Sequence, residues 1–159
     1  MDRLDRKILA IYQNDTRRIA ESIGSVVGLS AAGVQRRLKR LRAEGAISAE
    51  IAVLDAGAVG VPITCVVSIA MASGSAPRKN IDEFKRNMRA AREVQQCYHV
   101  TGASDFVLII SVESMEAYGE FARHWFEANE HVVRYETQVV LDRVKVGLSL
   151  PISEVRPSR

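Results

Sequence analysis

Residues 28–42 constrain the fold of this chain more than any other stretch, because they combine a turn, a helix cap and a two-sided helix. Gly28 accepts the positive φ of a tight turn, since glycine has no Cβ to clash there. Ser30 suits the cap of the next helix, since its hydroxyl accepts a bond from an N–H one turn on. Three apolar residues then recur at helical spacing and form one stripe: Val34, Leu38 and Leu41. The stretch therefore predicts a short helix that packs one side on a core.

The opposite side of this helix is cationic, with one acid nearby, Glu44; its five basic residues are Arg36, Arg37, Lys39, Arg40 and Arg42. Such a helix can lie on its own domain and face a polyanion. For an isolated helix, a merely solvated basic face is the commoner explanation. All the excess positive charge lies in residues 1–55, which hold ten basic and seven acidic residues. Residues 56–159 hold twelve of each.

Two further helices are predicted before the basic one. Residues 2–14 carry one apolar face, with Asp2 and Asp5 at the N-terminal end, where acids are favoured. A shorter helix starts near Thr16 and reaches Val27. Three helices, the last two joined by a glycine turn, are typical of a helix-turn-helix domain, whose second helix of the pair enters the DNA major groove.

The chain after the basic helix divides into a wing, a hinge and a second domain. Gly45 ends the helix, and residues 46–54 alternate in a way that predicts an exposed strand or wing. Residues 55–62 are rich in small and turn-forming residues. We therefore expect a winged helix-turn-helix domain over 1–54, a hinge over 55–62 and a second domain over 63–159.

The second domain is predicted to be α+β and ferredoxin-like. Its patterns give the order β-α-β-β-α-β, with strands over 63–72, 94–101, 106–112 and 132–141 and helices over 80–92 and 114–129. A fifth strand over 144–150 is a further expectation. Both helices would lie on one face of the antiparallel sheet. A chain of this length has nothing left to cover the other face, which predicts a dimer packed sheet against sheet.

Other features argue against a membrane protein, a metalloprotein or an enzyme. Cys65 and Cys97 lie in apolar runs and are expected to be buried free thiols. No signal peptide and no apolar run of about 18 residues is found, which predicts a cytoplasmic protein. The three histidines show no ligand spacing, and we expect no metal, cofactor or catalytic residue: they are His99, His124 and His131.

Several motifs together resemble the leucine-responsive regulator/AsnC family of transcription factors. They are Leu4-Asp5-Arg6-Lys7-Ile8-Leu9, Arg17, Val27-Gly28-Leu29-Ser30 with Val34 and Arg37, Gly45-Ala46-Ile47, Val100-Thr101-Gly102 with Asp105, and Thr137. The resemblance spans essentially the whole chain. It implies a winged helix-turn-helix, a hinge, and a C-terminal domain that dimerises, often builds octamers, and binds a small effector, usually an amino acid, between dimers.

The chain departs from the family pattern at three places. Ala103 and Ser104 stand between Gly102 and Asp105, where the family usually has an acid directly after the glycine. Gly24 replaces the usual alanine of the second helix, and we expect it to cost about 1 kcal/mol of helix stability, as Gly33 does in the basic helix. These departures leave the identity of the effector open.

The DNA contacts are expected from the start and the outer side of the basic helix. Ser30, Ala31, Ala32, Gln35 and Arg36 are the candidates for base contacts, with Gln35 suited to adenine and Arg36 to guanine. The other basic residues, Arg37, Lys39, Arg40 and Arg42, are expected mainly on phosphates of double-stranded DNA. For Arg37 an alternative stays open, in which it braces the helix within its own domain.

The effector is expected at the turn between two strands, together with one face of the last strand. The residues are Thr101, Gly102, Ala103, Ser104 and Asp105 in the turn, and Tyr135 and Thr137 in the strand. Backbone N–H groups of the turn would bind a carboxylate and Asp105 an ammonium group. The plain alternatives, a hairpin turn and a core strand, also stay open.

Two other functions fit the predicted architecture less well. Some tetrapyrrole decarboxylases of the siroheme type share these two domains, and an effector-binding protein could have lost DNA binding. Neither function uses five cations on the outer side of a helix. A DNA-binding regulator that responds to an amino acid is therefore the prediction.

Overall fold

The computed structural model describes residues 1–72 and 77–153 in two compact units. One unit comprises Met1–Ala52 together with the chain from Lys145 onward, and the other comprises Val53–Val144. The domain limits 1–54, 55–62 and 63–159 stay a prediction, and residues 154–159 lie outside the described part.

The first unit is a helix-turn-helix of three helices: α1 (Arg3–Tyr12), α2 (Ala20–Val27) and α3 (Ala31–Ala43). Asp2 and Asp5 form a reciprocal cap at the start of α1, because each side chain accepts the backbone N–H of the other. Gly28 ends α2 with φ 75°. Ile8, Ile23 and Val34 are fully buried, one from each helix. The apolar stripes read from the sequence therefore meet in one core.

Gly24 in α2 has a packing reason that the sequence does not show. A Cβ built at this position would lie 2.4 Å from the carbonyl oxygen of Leu29. The carbonyl oxygen of Gly24 also accepts the N–H groups of Gly28 and Leu29, at 2.8 and 3.0 Å. A glycine is therefore needed where α2 approaches the turn that leads into α3.

Three expectations for the first unit and the chain end are wrong. The second helix begins at Ala20 rather than near Thr16, because Asp15 accepts the Arg17 N–H in a turn. Residues 46–54 and 144–150 form no strand. A strand needs a neighbour to share its backbone hydrogen bonds, and the described part of the chain provides none for these segments. Their apolar side chains are largely exposed, as at Val53 and Val146.

The second unit has the predicted β-α-β-β-α-β order. Its elements are β1 (Ile63–Met71), α4 (Pro77–Ala90), β2 (Val94–His99), β3 (Phe106–Val112), α5 (Met115–Ala122) with a π-helical extension Arg123–Glu127, and β4 (Val132–Val139). The strands lie in the order β2-β3-β1-β4 and all pairs are antiparallel. The α+β ferredoxin-like prediction is confirmed.

The two faces of this sheet differ in burial. Alternate residues of β1 and β3, such as Val67 and Leu108, pack with Phe84 of α4 and Phe121 of α5 in one core. Both helices therefore cover the same face. The opposite face carries half-buried apolar residues, and its Ser111 hydroxyl is buried without a hydrogen-bond partner in the described part of the chain.

The structure also shows the state of the two cysteines and the length of the helices. Both cysteines are free; Cys65 is buried and Cys97 is half-buried. Burial raises the pKa of both thiols. None of the described helices is long and apolar enough to cross a bilayer.

Candidate functional site

The start of α3 is fixed by a cap. The Ser30 hydroxyl accepts the Gly33 N–H at 3.2 Å. Gly33 leaves room for that hydroxyl, because a Cβ there would lie 3.3 Å from Ser30 Oγ. Ser30 therefore has a structural task at the end of α3 where base contacts are expected.

An exposed stripe runs along α3, at the spacing of one helix face. We call it the recognition stripe; its residues are Ala32, Gln35, Arg36 and Lys39. Within the described part of the chain, the Arg36 and Lys39 side chains have no ion-pair partner. Two full positive charges and one amide on the stripe are therefore available to a ligand. Ala31, the remaining candidate for a base contact, is half-buried.

Arg37 and Arg40 bind acids of the first turn of α1. Arg37 Nη1 lies 2.6 Å from Asp2 Oδ2 and 2.7 Å from Asp5 Oδ1. Arg40 Nη2 donates to both carboxylate oxygens of Asp5, each at 2.7 Å. The bracing role left open for Arg37 is thus present in the structure, and Arg40 shares it.

Asp5 is ionised by this arrangement. Its side chain is fully buried, and burial by itself raises the pKa of a carboxyl group. The Asp2 backbone N–H and the two guanidinium groups outweigh burial, so the pKa of Asp5 falls from 3.8 to about 2. Asp5 is therefore a negative charge throughout the neutral range.

Arg42 belongs to a second internal cluster. Its Nε lies 2.9 Å from Glu50 Oε1, and its Nη2 donates to the Tyr12 hydroxyl at 2.8 Å. The Tyr12 hydroxyl in turn donates to Glu50 at 2.9 Å. Of the five basic residues of α3, the three arginines 37, 40 and 42 are paired inside the unit.

The predicted effector turn is exposed at its tip and anchored at its end. Gly102 has φ 117° and is exposed. Asp105 Oδ2 accepts the Met71 N–H at 2.7 Å, and the Asp105 N–H donates to the Ile69 carbonyl at 2.8 Å. One carboxylate oxygen of Asp105 holds the end of β1, which leaves the other for a ligand.

Tyr135 and Thr137 lie on the face of β4 that is turned toward α5. The Tyr135 hydroxyl donates to Glu127 Oε1 at 2.7 Å, and the Thr137 hydroxyl shares a hydrogen bond with Tyr118. Tyr135 pairs with Ile69 across the sheet. Since Asp105 also bonds to Ile69, the fold brings the turn and Tyr135 to the same end of the sheet, with Thr137 two residues further along.

Two features were missed by sequence reasoning. The first is the role of Asp2 and Asp5 as ion-pair partners of α3. The sequence contains a signal for this pairing, because the two acids are one helical turn apart and so are the two arginines. The second is an open groove of about 410 Å³ whose polar lining includes Glu83, Asn87, His124 and His131. The described residues form no cluster of three metal-ligating side chains.

Both parts of the chain match known family models. Residues 1–42 match the AsnC-type helix-turn-helix domain, and residues 64–150 match the Lrp/AsnC ligand binding domain.

Relatives and solved structures agree. The chain is 40% identical over 152 residues to an uncharacterized HTH-type transcriptional regulator of Sinorhizobium fredii, covering 96% of this chain and 89% of the relative. It is 27% identical to the transcriptional regulator AzlB of Bacillus subtilis, covering 98% of each. The structure of an AsnC family transcriptional regulator from Agrobacterium tumefaciens matches with a TM-score of 0.85, 30% identity and coverage of 95% and 97%.

A further solved structure contains a small molecule. It is a transcriptional regulator from Neisseria meningitidis in complex with L-Met, with a TM-score of 0.86, 25% identity and coverage of 95% of this chain and 96% of that one. The relatives are named as regulators of transcription.

Proposed function

The chain belongs to the Lrp/AsnC family of DNA-binding transcriptional regulators, and from this premise we propose which residues read DNA and what the second domain senses. Gln35 and Arg36 contact base edges in the major groove, and Lys39 contacts a phosphate. The observation that carries this assignment is the recognition stripe, whose cations are exposed and unpaired in the described part of the chain. Gln35 suits adenine and Arg36 suits guanine, since each matches that base with two hydrogen bonds.

Arg37, Arg40 and Arg42 have a different role in this proposal. Their guanidinium groups are already bound to acids of the same unit, so DNA would have to compete for them. They hold α3 in place instead of supplying the main phosphate contacts first expected of them.

The operator is a pair of inverted half-sites spaced by about 10 bp or a multiple of it, because a two-fold symmetric dimer binds two such half-sites.

The second domain binds an amino acid as effector. The L-Met in the Neisseria regulator is a precedent within the same fold. In this chain, support comes from the exposed turn at Gly102 and from the second carboxylate oxygen of Asp105, which together offer N–H donors and an acceptor to a zwitterion. The effector acts by binding one state of the protein more tightly than another.

The protein forms a dimer through the sheet face that the helices leave open, and dimers assemble further, to an octamer, in the cytoplasm. Support comes from the half-buried apolar side chains of Val66, Val107 and Ile109 on that face. A second copy packed there would remove this apolar surface from water.

The test is fluorescence anisotropy with the DNA upstream of the protein's own gene and with a scrambled duplex of equal length. Each amino acid is added in turn. We expect Arg36→Ala to weaken operator binding and to relax sequence preference, and one amino acid to change the affinity of the unaltered protein. If Arg36→Ala weakens binding to both duplexes by the same factor, the base-reading assignment is wrong.

The tetrapyrrole decarboxylase alternative has no support from the relatives, which are regulators. Only two of the five cations on α3 are unpaired in the described part of the chain, and the chain's family consists of transcriptional regulators.

A further inference from the structure

Asp5 occupies an unusual position in the DNA-binding unit. Among the described residues it is the only charged side chain that is buried. Oδ1 receives hydrogen bonds from Arg37 and Arg40, and Oδ2 receives them from Arg40 and the Asp2 backbone N–H. Each of these four bonds is 2.7 Å long. Charge-assisted bonds of this length are strong, and Arg40 contacts both carboxylate oxygens through one guanidinium nitrogen.

The geometry connects α1 to α3 at two successive turns of α3. Arg37 and Arg40 lie three residues apart, so one carboxylate limits both the rotation of α3 about its axis and its movement along α1. The recognition stripe lies on the same helix. Its direction therefore depends on a carboxylate that does not itself face DNA.

The same contact also changes the charge that α3 presents. Arg40 remains 43% exposed beside the recognition stripe, yet it contacts Asp5 at 2.7 Å and has a second acid, Glu44, at 3.8 Å. A paired arginine releases fewer counterions from DNA than a free one, because its charge is already compensated. Lys39, the neighbouring residue, has no such partner in the described part of the chain.

We propose that Asp5 is a positioning residue for DNA recognition. It orients the recognition stripe through Arg37 and Arg40 and withholds Arg40 from the phosphate backbone, while Asp2 shares in holding Arg37. This inference rests on the proposed roles of Gln35, Arg36 and Lys39. Asp5, which lies in α1 and outside the α2–α3 pair, thereby contributes to sequence discrimination.

The first experiment compares two neighbouring cations in the full-length protein. Arg40→Gln and Lys39→Gln each remove one charge, and affinity for the operator is measured over a series of KCl concentrations. We expect Lys39→Gln to lower the slope of log K against log[salt] by about 0.9, whereas Arg40→Gln leaves the slope unchanged. Equal slopes for the two variants, both lower than that of the unaltered protein, would overturn the inference.

The second experiment removes the carboxylate charge. Asp5→Asn is expected to weaken operator binding about tenfold and to keep or raise the affinity for scrambled DNA. Its salt dependence should steepen because Arg40, left only with the more distant Glu44 at 3.8 Å, is able to reach a phosphate, whereas Arg37 keeps its ion pair with Asp2. The control Glu21→Gln removes an exposed acid of the same unit that has no ion-pair partner in the described part of the chain, and it should change neither specificity nor slope. Circular dichroism confirms that each variant is folded.

A structural role alone would give a different pattern. If Asp5→Asn lowers the affinity for both duplexes equally and leaves the slope unchanged, Asp5 only maintains the fold and the inference fails. Adding Arg40→Gln to Asp5→Asn should return the slope toward the original value by one cation. Failure of the proposed base contacts is seen separately, as an Arg36→Ala variant with unchanged operator preference.

Discussion

The substitution Gly24→Ala tests whether local propensity or tertiary packing decides the stability of α2. By propensity alone, alanine should stabilise a helix by about 1 kcal/mol relative to glycine. The structure predicts the opposite sign. The new Cβ would lie 2.4 Å from the Leu29 carbonyl oxygen, about 1 Å short of ordinary contact.

The cost follows from what would have to move. Leu29 cannot retreat freely, because its N–H and that of Gly28 both bind the Gly24 carbonyl. Backbone shifts forced by one extra carbon cost about 1–3 kcal/mol. After the propensity gain of about 1 kcal/mol is subtracted, we expect Gly24→Ala to destabilise the first unit by up to about 2 kcal/mol. Because Leu29 precedes α3, operator affinity should also fall.

Gly119→Ala is the matched control. Gly119 lies inside α5, and a Cβ built there meets nothing within 4 Å. The same chemical change should stabilise the second unit by about 0.5–1 kcal/mol. Native-state hydrogen exchange in low urea reports the opening free energies of α2 and α5 amides separately. If both substitutions stabilise their helices, the approach of α2 to Leu29 is not the constraint that we describe.

Three further predictions follow from charges and packing. The pKa of Asp5 is about 2 in the folded unit and about 3.9 in an unfolded chain. Because the folded-state pKa is the lower one, the ionised carboxylate stabilises the unit by about 2–3 kcal/mol above pH 5, and this contribution is lost as the pH falls through 2. Urea titrations should show the stability gap between the unaltered protein and Asp5→Asn closing over that range, and a constant gap would contradict the pairing. Asp105→Asn keeps an acceptor for the Met71 N–H but removes the charge, so melting temperature should hold while the amino-acid response is lost; a retained response would leave the turn a structural one. Ile109→Glu places a charge on the open sheet face and should shift the protein to smaller species in analytical ultracentrifugation, with Glu113→Gln as a control that leaves assembly unchanged.

Much of the fold follows from local rules. Ser30 and Ser114 cap α3 and α5 as their positions predict, and Gly28 has the positive φ that its place in the turn requires. These outcomes depend on residues a few positions apart, whose geometry is set by the backbone itself. The order of strands and helices in the second unit follows in the same way, from the alternation of apolar residues.

The wing strand shows where local rules end. Residues 46–54 alternate as a strand does, yet in the described chain they have no neighbouring strand to supply hydrogen bonds. Alternation indicates that a segment is able to form a strand, whereas pairing depends on what lies beside it. The alternation of residues 46–54 therefore does not show whether a neighbouring strand is present.

For the charges of α3 as well, the sequence and the tertiary structure provide different information about function. The sequence by itself determined that a capped, two-sided helix carries five cations, and this places DNA binding in the first unit. Only the tertiary structure decided which cations are free, because the partners of Arg37 and Arg40 lie more than 30 residues away, at Asp2 and Asp5. The physical reason is that a helix face is fixed by spacing along the chain, whereas the balance of a charge depends on every group that folding brings within a few ångströms of it.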